Sequence, residues 1–196
     1  MLTFGMVDRA YDWLTGHVQE GQQVLDIGCG SGALTLRAAN KGAVVKGIDI
    51  NAGMLEIAKK RIHDAGLEKN AVFSETGVAE LGNEKTGSYD VIMSGLCFSE
   101  LSDDESVYAL KESNRLLRPG GLLLIADEIV PKNVMKKLVH WLIKLPLAAI
   151  TYIVTQTGTK ALKHLSEKVE GSGFIIESVW SNAIGDFVVL SVRKPR

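Results

Sequence analysis

Apolar positions along the chain follow two alternating periods. Short, nearly continuous apolar runs are separated by stretches in which apolar residues recur every three to four positions. The runs read as strands buried on both faces and the stretches as amphipathic helices, the signature of an α/β protein with a parallel sheet. Residues 5–19 read as a helix ahead of a first strand at 24–27. A helical pattern follows over 31–41 and stops at Gly42, as a glycine past a helix C-terminus commonly dictates. A second strand at 44–48 is closed by Asp49, and a helix over 54–65 carries Met54, Ala58 and Ile62 on its apolar face. A third strand is predicted at 71–74 and a fourth at 89–94. Ser102 and Glu105 form a capping box that opens a helix running to about residue 117. Pro119, Gly120 and Gly121 turn the chain into a fifth strand at 122–126. A helix over 162–171 and two strands at 174–179 and 187–192, joined by a turn at 182–185, close the pattern.

Composition narrows the class. A chain of 196 residues with 46% apolar and 23% charged residues reads as one domain, 1–196, able to bury a core without disulfide or metal staples. Its 22 basic and 23 acidic residues leave a net charge of −1, which argues against a nucleic-acid partner. Cys29 and Cys97 match no metal-ligand or disulfide spacing, so no metal is expected. The segment 1–20 reads as an N-terminal helix with early acidic residues rather than a signal peptide, and a reduced cytoplasmic setting is expected.

The most informative stretch is Val24-Leu25-Asp26-Ile27-Gly28-Cys29-Gly30-Ser31-Gly32. A strand runs into a glycine-rich turn that opens a helix, where the backbone bends sharply and a ligand can approach without a Cβ in the way. Gly28, Gly30 and Ala33 satisfy the loose dinucleotide fingerprint. Asp49, at the end of the second strand, can accept hydrogen bonds from both hydroxyls of a ribose. It can equally cap the following helix.

These segments, with YDVIMSGLCFSEL and LLRPGGLLLIADE, resemble the successive motifs of class I S-adenosylmethionine (AdoMet)-dependent methyltransferases, strongly over residues 20–130. The resemblance implies a Rossmann-like seven-stranded, mostly parallel sheet with an antiparallel last strand and helices on both faces. A helical segment, 131–160, would be inserted after the fifth strand. It implies AdoMet as methyl donor and S-adenosylhomocysteine as product. By position, Asp26, Gly28, Cys29, Gly30 and Gly32 would shape the methionine end of the pocket, and Asp49 would hold the ribose. Ile50 and Met54 would line the adenine, while Ser94, Gly95 and Leu96 would border the transferable methyl. Tyr11 would close over the site from the N-terminal helix. The family often has an acid after the third strand that contacts the adenine amine. Gly77 stands there instead, leaving backbone groups of Val78 or Ala79 as substitutes.

The sulfonium makes the methyl electrophilic, so the protein mainly aligns a nucleophile, and a base is needed only if that nucleophile must lose a proton. Candidates for the chemistry are Cys97, which could face the methyl, and Glu100, which could act as a base, after the fourth strand, with Asp127 and Glu128, in an active-site role or simply solvated, at the end of the fifth. Cys97 also suits a small buried residue and Glu100 a helix start. The segment 134–154 places Lys136, Lys137, His140 and Lys144 on one helical face, with Trp141 among the apolar residues. It reads as a lid over a substrate, as a protein-docking or peripheral membrane helix, or as a helix packed on the sheet. GLCFSELSDDE and PLAAITYIVTQTGTKALKHL are similar to corrinoid-protein-associated methyltransferases, which would imply a corrinoid protein as partner. The acceptor is otherwise expected to be a small molecule or a protein-bound group. The rival readings are an NAD(P)-dependent oxidoreductase and a non-catalytic AdoMet-binding or docking module.

Overall fold

The computed structural model describes residues 4–129, 165–182 and 185–196. The first helix, α1 (Phe4–Thr15), precedes β1 (Gln23–Ile27), α2 (Ala33–Ala39), β2 (Val44–Asp49), α3 (Ala52–Asp64) and β3 (Ala71–Glu75). A 3-10 turn (Val78–Asn83) leads to β4 (Tyr89–Gly95), and a second short one (Phe98–Glu100) to α4 (Asp103–Leu116). There follow β5 (Leu117–Glu128), a helix named here α5 (Leu165–Gly171), β6 (Ile175–Ser181) and β7 (Phe187–Arg193). The predicted segment 131–160, with its basic face at 134–154, lies outside the described residues. So do residues 162–164 of the predicted last helix and 183–184 of the closing turn.

The strands form one seven-stranded sheet in the order β3-β2-β1-β4-β5-β7-β6. All neighbours from β3 to β5 pair in parallel, while β7 runs antiparallel to both β5 and β6. This is the expected Rossmann-like arrangement. The strand order reverses direction at β1, between β2 and β4, which is where open α/β sheets leave a crevice beyond their strand ends.

Side chains alternate across the sheet as a period of two requires. Leu25, Ile27, Ile92, Leu123 and Ile125 pack with Leu110 of α4 and Val169 of α5. Val24, Val91, Met93, Leu124 and Ala126 pack on the other face with Leu14 of α1, Leu34 and Ala38 of α2 and Ile62 of α3. Helices therefore cover both faces among the described residues.

Two predicted details differ. The buried stripe of α3 is Leu55, Ala58 and Ile62, and Met54 stands out of it at 42% exposure. Met54 belongs to the first turn of the helix, where Asn51 is the N-cap and accepts from the Met54 amide at 3.1 Å. The Pro119-Gly120-Gly121 segment is a bulge inside β5 and does not precede that strand. The step from Leu117 to Leu122 faces only the step from Tyr89 to Val91 on β4. The bulge is tied to the far end of β7, because the Gly120 amide donates to the Lys194 carbonyl at 3.0 Å and Arg193 donates to the Gly120 carbonyl at 2.6 Å.

Candidate functional site

The carboxyl ends of β1, β2 and β4 open onto a cleft of about 770 Å³, within the range typical of small-molecule sites. Its floor is the turn after β1. Gly28 takes a left-handed φ of 66°, and a Cβ there would run into the side chain of Cys97. No other residue type meets both conditions without strain. The Cys29 amide donates to the Ile48 carbonyl at 2.9 Å, and the Gly32 amide donates back to the Cys29 carbonyl at 2.8 Å. The turn is thereby fixed against β2 before it enters α2.

Asp49 lines the cleft as a carboxylate held by backbone amides. Its Oδ2 accepts from the Gly30 amide at 2.8 Å and its Oδ1 from the Asn51 amide at 2.8 Å. Asn51, not Asp49, caps α3. Each carboxylate oxygen accepts more than one hydrogen bond, so this aimed group keeps capacity toward the cleft. Gly30, Ile50, Met54, Val78, Gly95, Leu96 and Cys97 line the same cleft. Leu96 is the single non-glycine residue with positive φ among the described residues, at 59°, and its amide is held by the Ala126 carbonyl at 2.8 Å. Backbone strain of this kind concentrates at functional sites.

Several predicted residues stand behind the wall rather than in it. Asp26 is buried on the α1–α2 face, where its Oδ2 accepts from the Thr35 hydroxyl at 2.6 Å and its Oδ1 has no partner among the described residues. Burial pushes its carboxyl up to about 7, against the opposing effect of the Thr35 hydrogen bond. Cys29 turns its thiol toward Gly47, and burial raises that thiol too. Gly32 lies against Ala58, where a Cβ would sit 3.0 Å from the Ala58 Cβ, so it sets the α2–α3 spacing. Ser94 donates to the Ile27 carbonyl at 2.9 Å and locks β4 to β1. Tyr11 does not close over the cleft. Its buried ring packs behind Gly95, where any Cβ would strike it, and the Arg37 guanidinium lies 5.7 Å from the ring centroid. Burial, then the charges of Asp26 and Asp127, raise its phenol. Ala79 is exposed and outside the lining, with its carbonyl 3.5 Å from the Tyr108 hydroxyl.

The four candidate catalytic residues separate into two pairs. Cys97 and Glu100 line the cleft, whereas Asp127 and Glu128 do not. Asp127 is fully buried and accepts from the amides of Ser99 at 3.2 Å and Glu128 at 2.7 Å, so it caps the short turn at Phe98–Glu100. Burial lifts its carboxyl to about 6. Burial and the Asp127 charge push the Cys97 thiol up to about 12, which keeps it protonated near neutral pH. Burial, then the Asp49 charge, raise the Glu100 carboxyl above its ordinary value. Asn51, Thr76, Leu101 and Glu105 also line the cleft and escape a reading of the sequence. Asn51 and Glu105 carry cap signals, and those signals gave no hint of a second, cleft-facing position. Among the described residues, no group of three His, Cys, Asp or Glu side chains could hold a metal ion, and no helix is long and apolar enough to cross a membrane.

Sheet order, glycine turn and the aimed carboxylate at the end of β2 together define a Rossmann-like α/β protein with its crevice at the strand switch point. Residues 24–121 match the methyltransferase domain family, and the chain belongs to it. Methyltransferase GfsG of Streptomyces halstedii is 36% identical over 126 residues, covering 64% of this chain and 44% of that protein. The chain spans about half the length of several relatives it matches. The [4+2]-cyclase SpnF superposes with a TM-score of 0.77 at 19% identity, covering 96% of this chain and 81% of SpnF. A 1,6-didemethyltoxoflavin-N1-methyltransferase of Burkholderia thailandensis, with bound S-adenosylhomocysteine, superposes with a TM-score of 0.73 at 19% identity, covering 100% and 81% of the two chains.

Proposed function

We propose that this chain binds AdoMet in the β1–β2–β4 cleft and transfers its methyl group to a small-molecule acceptor, leaving S-adenosylhomocysteine. The observation that carries the reading is the Asp49 carboxylate, held by the Gly30 and Asn51 amides at the mouth of a glycine turn whose floor admits no Cβ. Family membership supports it.

On this reading Asp49 accepts from the ribose hydroxyls, and Ile50, Met54 and Val78 pack on the base. The backbone from Gly28 to Gly30 lies along the amino-acid part of the cofactor. The bound cofactor supplies a methyl already activated by the sulfonium, whose sulfur keeps the bond electrons as the methyl leaves. Gly95, Leu96 and Cys97 border the space from which an acceptor approaches, and the pairing of Gly95 and Leu96 with Ala126 of β5 favours alignment. Positioning of this kind can contribute roughly 7–11 kcal/mol to lowering a barrier. Asp127 serves as a turn cap and stands outside the cleft lining, so it is not placed as a base.

Calorimetry with S-adenosylhomocysteine and with NAD tests the proposal. Binding of the first and not the second is expected, and the reverse would move the chain to the oxidoreductase reading. SpnF is named a cyclase on the same fold, so binding alone does not establish transfer. Methyl-tritiated AdoMet incubated with a panel of hydroxylated and amino acceptors completes the test. Label in the extractable fraction supports a small-molecule acceptor. Label retained on an added protein, a corrinoid protein included, would redirect the acceptor to a protein-bound group. Binding without turnover would favour the docking-module reading.

A further inference from the structure

Three carboxylates line the described part of the cleft: Asp49, Glu100 and Glu105. Two are engaged. Asp49 accepts from Gly30 and Asn51, and Glu105 accepts from the amide of Ser102 at 2.8 Å and its hydroxyl at 2.6 Å. No donor reaches the Glu100 carboxylate among the described residues, and the group feels the Asp49 charge across the cleft. A cleft carboxylate left in this state is an acceptor waiting for a donor on a ligand.

The opposite requirement arises at the base wall. An adenine presents an exocyclic amine, a donor that loses its water partners when the ring enters an apolar slot such as that of Ile50, Met54, Val78 and Leu101. The loop after β3 offers no carboxylate for it. Residue 77 is a glycine whose amide donates to the Glu80 carboxylate at 2.9 Å, and a Cβ there would lie 3.0 Å from Ile50 Cγ2. Glu80 is thus bound to its own loop and stands outside the cleft lining.

We infer that Glu100, on the turn after β4, accepts the hydrogen bond of the cofactor's adenine amine and so selects a 6-amino over a 6-oxo purine. This rests on the proposed AdoMet site and deepens it. It also gives Glu100 a binding role in place of a catalytic one.

The test compares S-adenosylhomocysteine with S-inosylhomocysteine, in which the amine is replaced by a carbonyl oxygen. Dissociation constants are measured by calorimetry on the wild-type chain and on Glu100→Ala and Glu100→Gln. The wild type is expected to prefer the adenosyl ligand by about 10–100-fold, the range of a hydrogen bond to a charged group. Glu100→Ala should weaken the adenosyl ligand by at least about 10-fold, leave the inosyl ligand unchanged or tighter, and bring the ratio close to one. Glu100→Gln keeps an acceptor oxygen and should retain part of the preference. Equal weakening of both ligands by Glu100→Ala, or no change in either, would overturn the inference. So would a Glu100→Gln variant that loses turnover with the wild-type preference intact, which would mark a base. Absence of any adenosyl binding by the wild type would instead overturn the cofactor site itself.

Discussion

Asp26 and Thr35 are joined by a 2.6 Å hydrogen bond that crosses from β1 to α2, directly behind the glycine turn. The bond satisfies one carboxylate oxygen and leaves the other buried without a partner among the described residues. A buried carboxyl in that state favours its protonated form, and burial accordingly lifts it from 3.8 to about 7. Between these two values the folded chain holds a proton that the unfolded chain has released. Its contribution to stability is complete below about pH 4 and is lost as the pH rises toward 7. Asp127, raised to about 6, adds to the same trend. Urea unfolding of the ligand-free chain should show a midpoint that declines from pH 5 to pH 8, and Asp26→Asn should flatten the decline. A midpoint that rises over this range would contradict the assignment.

Replacing Asp49 by alanine removes the acceptor of the Gly30 amide along with the proposed acceptor of the ribose hydroxyls. S-adenosylhomocysteine affinity should fall by at least about 10-fold, since hydrogen bonds to charged groups contribute about 1.5–3 kcal/mol each. Calorimetry reads the affinity and circular dichroism checks that the fold persists. Undiminished binding would remove Asp49 from the ribose role.

Gly28 and Cys97 should be energetically coupled. Gly28→Ala costs about 1–2 kcal/mol for the left-handed backbone and a further 1–3 kcal/mol or so for overpacking against Cys97. In a Cys97→Gly background the second cost should vanish. A double-mutant cycle on urea midpoints measures the difference, and additivity would show that the two residues do not press on each other.

Ser102→Ala should lower stability by about 0.5–2 kcal/mol, because the hydroxyl caps α4 through the Glu105 amide. The thermal midpoint reads this loss. The change removes one of the two hydrogen bonds to the Glu105 carboxylate and leaves the one from the amide of residue 102.

What the sequence disclosed followed from periodicity and from a few backbone-specific residues. The parallel strands were readable because β1, β4 and β5 are apolar on both faces, and the site was readable because Gly28 and Asp49 do work that few other residue types can. Less was legible where one residue serves two purposes. Met54 keeps the spacing of the buried stripe of α3, yet its place one turn into the helix sends it to the cleft. Pro119, Gly120 and Gly121 carry turn chemistry, but their carbonyls and amides find partners on β7, so tertiary pairing absorbs them into β5. Asp26 and Tyr11 have the residue types of a binding site, and only the alternation of β1 and the seating of α1 reveal that both lie behind the wall. The separation of Cys97 and Glu100 from Asp127 and Glu128 depends on side-chain direction at two strand ends, which no spacing encodes.

The position of β7 bears on how the molecule is made. Strand 175–181 is synthesised before strand 187–193 but pairs only with it among the described strands, and β5 likewise waits for β7 along one whole edge. Until the later segment emerges, a nascent chain carries an open ladder along β5 and an unpaired β6, whose Ile175, Val179 and Trp180 stay exposed even in the folded chain. Both invite intermolecular pairing. Chains halted before residue 187 should therefore precipitate even though every residue of the proposed nucleoside pocket has already been translated.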